Sequence, residues 1–368
     1  MQAIQAALPP SFAGLLLGLA TFMLIEPNES LQIRFSHSFA PGLGVMSALL
    51  CVLLTLQLAK RRDVPRLPAL ALAEPVFLLS LPYQHASSFA SLARALGSSG
   101  LFLAMGVALV TVTVLRLARA KFGPLGGSLL AGAAVVGGAV LLLATGVSLT
   151  NILDRMIAPL GDLGDSLTAL LIITLVETLL WAIGIHGPAL LAAVVFPVYL
   201  SLQTQNAEAL AHGRPLPHIV TVSLFLFVFP GGAGATLPLV LLLLRSRIAR
   251  LHRVALATLV PALFNVNEPL MFGLPLVVNP LLGVPFVLAP LALCVITFLA
   301  VNFGWVARPA FYMPSMLPLP VSVFLATKDW RAVVLALINV AVAAAIYAPF
   351  VALYERQEKA REHERAAA

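Results

Sequence analysis

The chain reads as an all-α integral membrane protein, and three features of it say so. Sixty per cent of its 368 residues are hydrophobic and only 10% are charged, with a mean hydropathy of +1.01. No soluble domain could cover that composition with polar surface. The apolar runs are long enough to cross a hydrocarbon core of about 30 Å as helices. They are rich in Leu, Ala and Val and show little of the alternation that a barrel strand requires.

In chain order, ten spans are predicted near 10–26, 40–59, 67–83, 101–119, 124–147, 166–185, 188–203, 218–244, 283–304 and 331–353. The first lacks the basic start and small-residue cleavage site of a signal peptide, so it reads as a retained helix. Two further apolar segments, 254–280 and 309–326, carry several Pro residues or mid-segment polar groups. Backbone interrupted in this way is tolerated at membrane depth only where protein or a wet cavity covers it, so both read as re-entrant hairpins. The chain divides into a half at 1–147, a half at 148–355 that contains both hairpins, and a charged cytoplasmic tail at 356–368.

Charge gives an independent check. Four clusters hold 15 of the 22 basic residues: Lys60, Arg61, Arg62 and Arg66; Arg116, Arg119 and Lys121; Arg245, Arg247, Arg250 and Arg253; Arg356, Lys359, Arg361 and Arg365. Ten spans, with each hairpin returning to its own side, put all four on the cytoplasmic face with both termini. The net charge of +7 follows from this bias beside an anionic leaflet and is not a nucleic-acid footprint. Cys51 and Cys294 fall inside predicted spans without CxxC spacing, so they read as packing residues rather than a disulfide or metal site. No Walker A loop, HExxH or nucleophile elbow is present, so neither an ATP-driven pump nor a membrane protease of those types is indicated. No cofactor and no metal is expected.

The chemistry is concentrated in the polar groups at depth. The stretch "FNVNEPLMFGLPLVVNP", 264–280, sets Asn265, Asn267 and Glu268 in an apolar run, where an ionised carboxylate costs several kcal/mol. His186, in "WAIGIHGP", stands between Gly184 and Gly187. It is either a neutral imidazole satisfied by a carbonyl or a substrate ligand in a helix break, and flanking glycines at mid-membrane favour the ligand. In "PGGAGAT", 230–236, three Gly and a Pro should break the span around Gly232. Backbone N–H groups freed beside Thr236 would suit a hydroxyl-rich or anionic ligand; close helix packing through small residues is the alternative. Glu74 and Glu177 each stand alone in a span and read as protonated, hydrogen-bonded packing residues.

These stretches, with "LGDSL" (163–167) and "FLATKDWRAVVLALIN" (324–339), carry a resemblance. Together they resemble, in order from about residue 30 to 355, the enzyme IIC membrane component of the bacterial phosphoenolpyruvate-dependent phosphotransferase system, in its lactose, cellobiose and diacetylchitobiose branch. The resemblance implies a homodimeric sugar permease in the cell (inner) membrane, with ten spans and two re-entrant hairpins. Its N-terminal half would form the dimer and its C-terminal half would carry a beta-linked sugar inward. A phosphocysteine on a separate IIB protein, itself supplied by IIA, would phosphorylate the 6-hydroxyl. It also implies that Glu268 and His186 hold that hydroxyl, the carboxylate accepting its proton and the imidazole orienting it or donating. Asn265 and Asn267 can serve sugar hydroxyls or hairpin backbone, and Trp181 offers a flat face to a pyranose ring.

Departures are visible as well. Where relatives carry a Trp in "PWTTP", this chain has "MPSMLP" (313–318) with Ser315 at about that place, and Leu190 stands where relatives place a polar residue four after the histidine. A second reading, a membrane sugar sensor descended from the permease, follows from the altered hairpin; retention of "FNVNEP" favours the permease. A proton-coupled transporter that relays through Glu74, Glu177 or Glu268 is a third. The Arg-rich link 245–253 should face IIB, because the first hairpin begins right after it.

Overall fold

The computed structural model describes residues 31–81, 99–146, 163–185, 187–274, 276–277 and 279–367, with scattered positions elsewhere; for 31–37, 39–40, 99, 188–190, 192–194 and 362–367 it describes only the backbone. Every regular element among the described residues is a helix. His186 and most of the predicted span 10–26 lie outside the described residues.

Residues 1–162 and 192–215 form one compact unit. Its helices include α1 (Leu31–Arg61), α2 (Arg66–Leu79), α3 (Ser99–Phe122) and α4 (Pro124–Ala144). Lys60 and Arg61 close the last turn of α1, where cations complement the carbonyl end of the helix. Between α3 and α4 the chain reverses at Gly123, with φ 75°, and Pro124 opens α4 where no N–H is needed. The reversal is tight: a Cβ on Gly127 would sit 2.4 Å from Arg119 Cα. Ala59, Val64, Ala69, Val112, Leu115 and Ala131 fill the space between these helices. Their outer faces are apolar too, with Leu125, Leu129 and Leu141 at 76%, 68% and 64% exposure, which suits hydrocarbon rather than water as solvent.

Residues 163–191 and 216–368 form the other unit. Here lie α5 (Leu167–Ala182), the start of α6 (Gly187–Ala211), a 3₁₀ turn at Val222–Leu224, α7 (Phe225–Val228), α8 (Leu237–Leu243) and α9 (Ala249–Leu263). They are followed by α10 (Glu268–Gly273), α11 (Pro280–Asn302), α12 (Leu319–Thr327) and α13 (Trp330–Ala367). The long helices α11 and α13 pack on each other, α5 packs on α11, and α8 and α12 pack on α13. Ser166 caps α5 by accepting from Ala169 N, and Asn279 caps α11 by accepting from Leu281 N.

Five described helices are long and apolar enough to span a bilayer: Pro41–Arg61, Gly100–Phe122, Pro124–Ala144, Pro280–Asn302 and Trp330–Arg361. The stretch 218–244, expected as one span broken around Gly232, is not a continuous helix. It is α7, an irregular break at 229–236, and α8, because Pro230 has no N–H to donate and Gly231, Gly232 and Gly234 all adopt positive φ. The segment 254–280 is α9, a turn at 264–267 and the six-residue α10; the segment 309–326 runs without helix to Pro318, where α12 begins.

Candidate functional site

Two helix ends set up the site, by the same local chemistry. At the end of α5, Gly184 takes φ 87°, Ile185 N donates to Leu180 O (2.8 Å) and Gly184 N to Trp181 O (3.0 Å). At the end of α9, Asn265 takes φ 58°, Val266 N donates to Pro261 O (3.0 Å) and Asn265 N to Ala262 O (3.1 Å). Both are Schellman stops with the left-handed residue just past the helix, Gly in one and Asn in the other. His186 follows the first stop by two residues and Glu268 the second by three.

Glu268 is half-buried at the first position of α10, with Pro269 next to it. The chain on either side of His186 is constrained by packing. A Cβ on Gly187 would lie 2.1 Å from Glu177 O, so α6 begins in contact with the backbone of α5, and a Cβ on Gly184 would lie 3.1 Å from Val277 Cγ1, in the segment after α10. Trp181 is 4% exposed and belongs to one buried apolar cluster with Ala233, Ala235, Leu270, Met271 and Leu274.

The glycine break at 229–236 is held at several of its backbone groups by side chains. Gly231 N donates to Asn265 Oδ1 (2.7 Å), Thr236 Oγ1 to Gly231 O (2.6 Å), Asn267 Nδ2 to Ala233 O (2.8 Å) and the Tyr347 hydroxyl to Gly234 O (2.7 Å). Leu237 N closes the loop on Pro230 O at 3.0 Å. A membrane core offers no water to satisfy broken backbone, and these side chains take its place. Gly232 lies against the 264–267 turn: a Cβ there would be 2.9 Å from Asn265 O. The proline-rich segment is held as well, since Asn265 Nδ2 donates to Ser315 O (2.6 Å) and Leu317 O (3.3 Å), and Ser223 Oγ to Phe311 O (2.8 Å). The structure therefore brings Asn265, Asn267, Gly232 and Thr236 together, with Glu268 next in sequence to Asn267. The Asn265 and Asn267 amides are committed to backbone in this arrangement.

The sequence matches the family described as phosphotransferase system, EIIC over residues 5–290. The chain belongs to this family. It is 31% identical over 381 residues to the lichenan permease IIC component of Bacillus subtilis, covering 94% of this chain and 84% of that one. It is 30% identical to the cellobiose-specific EIIC component of Geobacillus stearothermophilus, covering 83% of this chain and 76% of that one. It is 30% identical to the lactose-specific EIICB component of Lacticaseibacillus casei, over 60% of this chain and 39% of that one. Among solved structures, ChbC, the IIC component of an N,N′-diacetylchitobiose-specific phosphotransferase system, superposes with a TM-score of 0.84 at 28% identity, covering 98% of this chain and 95% of that one. These relatives are named as permease or EIIC components, so the sensor alternative finds no support.

An EIIC protein is a membrane-embedded sugar permease, and this one carries two polar clusters that sequence reasoning missed. Asp165, in "LGDSL", accepts from Ile219 N (2.9 Å) and Val220 N (2.7 Å) and pairs with His218 Nδ1 (3.1 Å). Burial pushes its carboxyl up, but the His218 hydrogen bond, the Val220 and Ile219 amides and the His218 charge outweigh that and leave it below the usual carboxylate range. Nearby in the chain, Arg308 Nη1 donates to Leu216 O (2.6 Å) and Pro217 O (2.7 Å). The signal that could have found Asp165 was an acid just outside a span, beside the cap residue Ser166. The second cluster is Glu358, which pairs with Arg250 (2.8 Å) and Arg361 (2.9 Å). Arg247, Arg250 and Arg253 are all exposed, and of the three Arg250 is the one paired with Glu358.

Proposed function

We propose that this EIIC component carries a beta-linked disaccharide or oligosaccharide, of the class that includes cellobiose, diacetylchitobiose and lactose, inward across the cell membrane while a separate IIB phosphorylates its 6-hydroxyl. Glu268 takes the hydroxyl proton as that oxygen bonds to phosphorus. The sulfur–phosphorus bond of the IIB phosphocysteine breaks, the thiolate leaves, and His186 orients the hydroxyl. Thr236 and the Gly232 backbone border the sugar, and Trp181 backs it on the apolar side. The observation that carries this reading is the turn at 264–267, which delivers a half-buried carboxylate beside a glycine break whose backbone is held in part by the side chains of Asn265 and Asn267. A Cβ on Gly184 would lie 3.1 Å from Val277 Cγ1, so the end of α5 packs against the chain that follows α10.

The remaining architecture follows the same reading. At about 1.5 Å per residue, α10 and α12 reach roughly 9 and 14 Å, far short of a hydrocarbon core of about 30 Å. Both belong to re-entrant hairpins beside ten spans, with the termini on the cytoplasmic side of the inner membrane, lipid around the outer faces and the N-terminal half joining two copies. IIA and IIB act in trans.

The test is phosphorylated-sugar formation by membrane vesicles that contain the full chain, given phosphorylated IIB and each of the three sugars. Product with at least one is expected, and none with any would overturn the reading. The basic link gives a second test. Arg250 being paired with Glu358, Arg247 and Arg253 are the residues to present to IIB. Reversing both to Glu is expected to slow phosphorylation several-fold, less so in high salt, with sugar affinity by calorimetry unchanged. Equal loss of affinity would move the IIB surface elsewhere.

A further inference from the structure

One side chain joins its own turn to two other stretches of backbone. Asn265 Oδ1 accepts from Gly231 N at 2.7 Å, and its Nδ2 donates to Ser315 O at 2.6 Å and Leu317 O at 3.3 Å. The glycine break, the Asn-Glu-Pro turn and the proline-rich segment are tied by a single amide. Two residues on, Asn267 holds Ala233, so positions 265 and 267 hold positions 231 and 233 at matching spacing. Both Nδ2 hydrogens are spent on protein carbonyls, which leaves no donor for a sugar. The residue type is closely specified: Asp cannot donate, Leu neither donates nor accepts, and at φ 58° Asn is favoured over other residues with side chains.

We propose that Asn265 is a positioning residue of the phosphoryl-transfer site. Its amide couples the segment bearing Ser315 and the glycine break to the turn bearing Glu268, so that all three hold one register. The catalytic consequence rests on the role proposed for Glu268 above; the mechanical one rests on the three hydrogen bonds alone.

Asn265→Gly keeps the left-handed backbone and removes all three bonds. Asn265→Asp keeps the Gly231 bond but sets a carboxylate against two carbonyls. The first readout is hydrogen–deuterium exchange of the detergent-solubilised full chain. In Asn265→Gly the amides of 229–236 and 311–318 should exchange roughly tenfold faster, and in Asn265→Asp only those of 311–318, as expected for losing about one hydrogen bond per segment. Unchanged exchange in both variants overturns the coupling, whatever the protein does with sugar.

The second readout separates positioning from binding and from bulk stability. With phosphorylated IIB and saturating cellobiose, diacetylchitobiose or lactose, Asn265→Gly should cut the rate by roughly 10²-fold, the cost of a displacement of about 1 Å at the reacting centre. The calorimetric Kd should move less than about threefold. A weakened Kd with an unchanged saturated rate would make Asn265 a sugar ligand and overturn the proposal. A lowered melting temperature with an unchanged saturated rate would make it structural only and do the same. If the wild type neither binds nor phosphorylates any of the three sugars, the functional reading fails, and the exchange experiment still decides the coupling.

Discussion

Glu268→Gln is expected to leave sugar binding within roughly tenfold of wild type, about the worth of one good hydrogen bond. Phosphorylated-sugar formation should fall far more, because general base catalysis contributes about 10²- to 10⁴-fold and an amide cannot accept the proton. The substitution keeps the size of the side chain and the Pro269 that follows it, and none of the bonds made by Asn265 and Asn267 involves the carboxylate. Calorimetry and product formation with a phosphorylated IIB, measured on the same preparations, separate the two effects. A variant that forms product at the wild-type rate would remove Glu268 as the base.

The second large effect is on stability. Gly234 has φ 85°, and a Cβ on it would sit 2.0 Å from Phe286 Cε2 and 2.2 Å from Cδ2. Phe286 is fully buried in the apolar cluster of this unit, so its ring has no empty space to enter. Gly234→Ala adds a left-handed conformation costing about 1–2 kcal/mol to an overpacking cost of about 1–3 kcal/mol. That sum is a large share of a typical folding free energy, so most of the protein should run aggregated in size-exclusion melting. Trimming the ring with Phe286→Leu in the same chain should recover the overpacking part and leave the backbone part. A Gly234→Ala protein that melts like the wild type would mean that the loop and ring do not approach in this way.

What the sequence made legible follows from what each signal encodes. Composition reports solvent, so the all-helical membrane class could be read directly. The break at 229–236 could be read because Pro230 and the three glycines act locally on the backbone. Its effect on the predicted span was underestimated: the helix before it is only Phe225–Val228, since the preceding chain is engaged at 3₁₀ geometry and through Ser223. The duty of Asn265 was not legible, because an amide at depth signals only that something polar is paired. Its partners lie 34 and 50 positions away, and no local pattern chooses between backbone and sugar. Asp165 was passed over for the related reason that its partners lie more than 50 positions away, and two of the three, Ile219 and Val220, are main-chain groups without a sequence signature. The predicted convergence of His186 with Glu268 falls on a residue outside those described.

The long last helix changes how the Glu268 segment can move. At 38 residues α13 reaches about 57 Å, so with a hydrocarbon core of about 30 Å nearly half of it stands clear of lipid as a stiff post. Arg250 pairs the first turn of α9 with that post at Glu358. α9 is held at its other end too, because Asn265 ties the 264–267 turn to Gly231, Ser315 and Leu317, and Asn267 ties it to Ala233. A helix fixed at root and tip is braced against swinging on its own, so the Glu268 segment moves with the post and the glycine break as one piece. On the role proposed for Glu268, the carboxylate then keeps its place against the acceptor hydroxyl while the whole unit covers the larger distance that the sugar crosses.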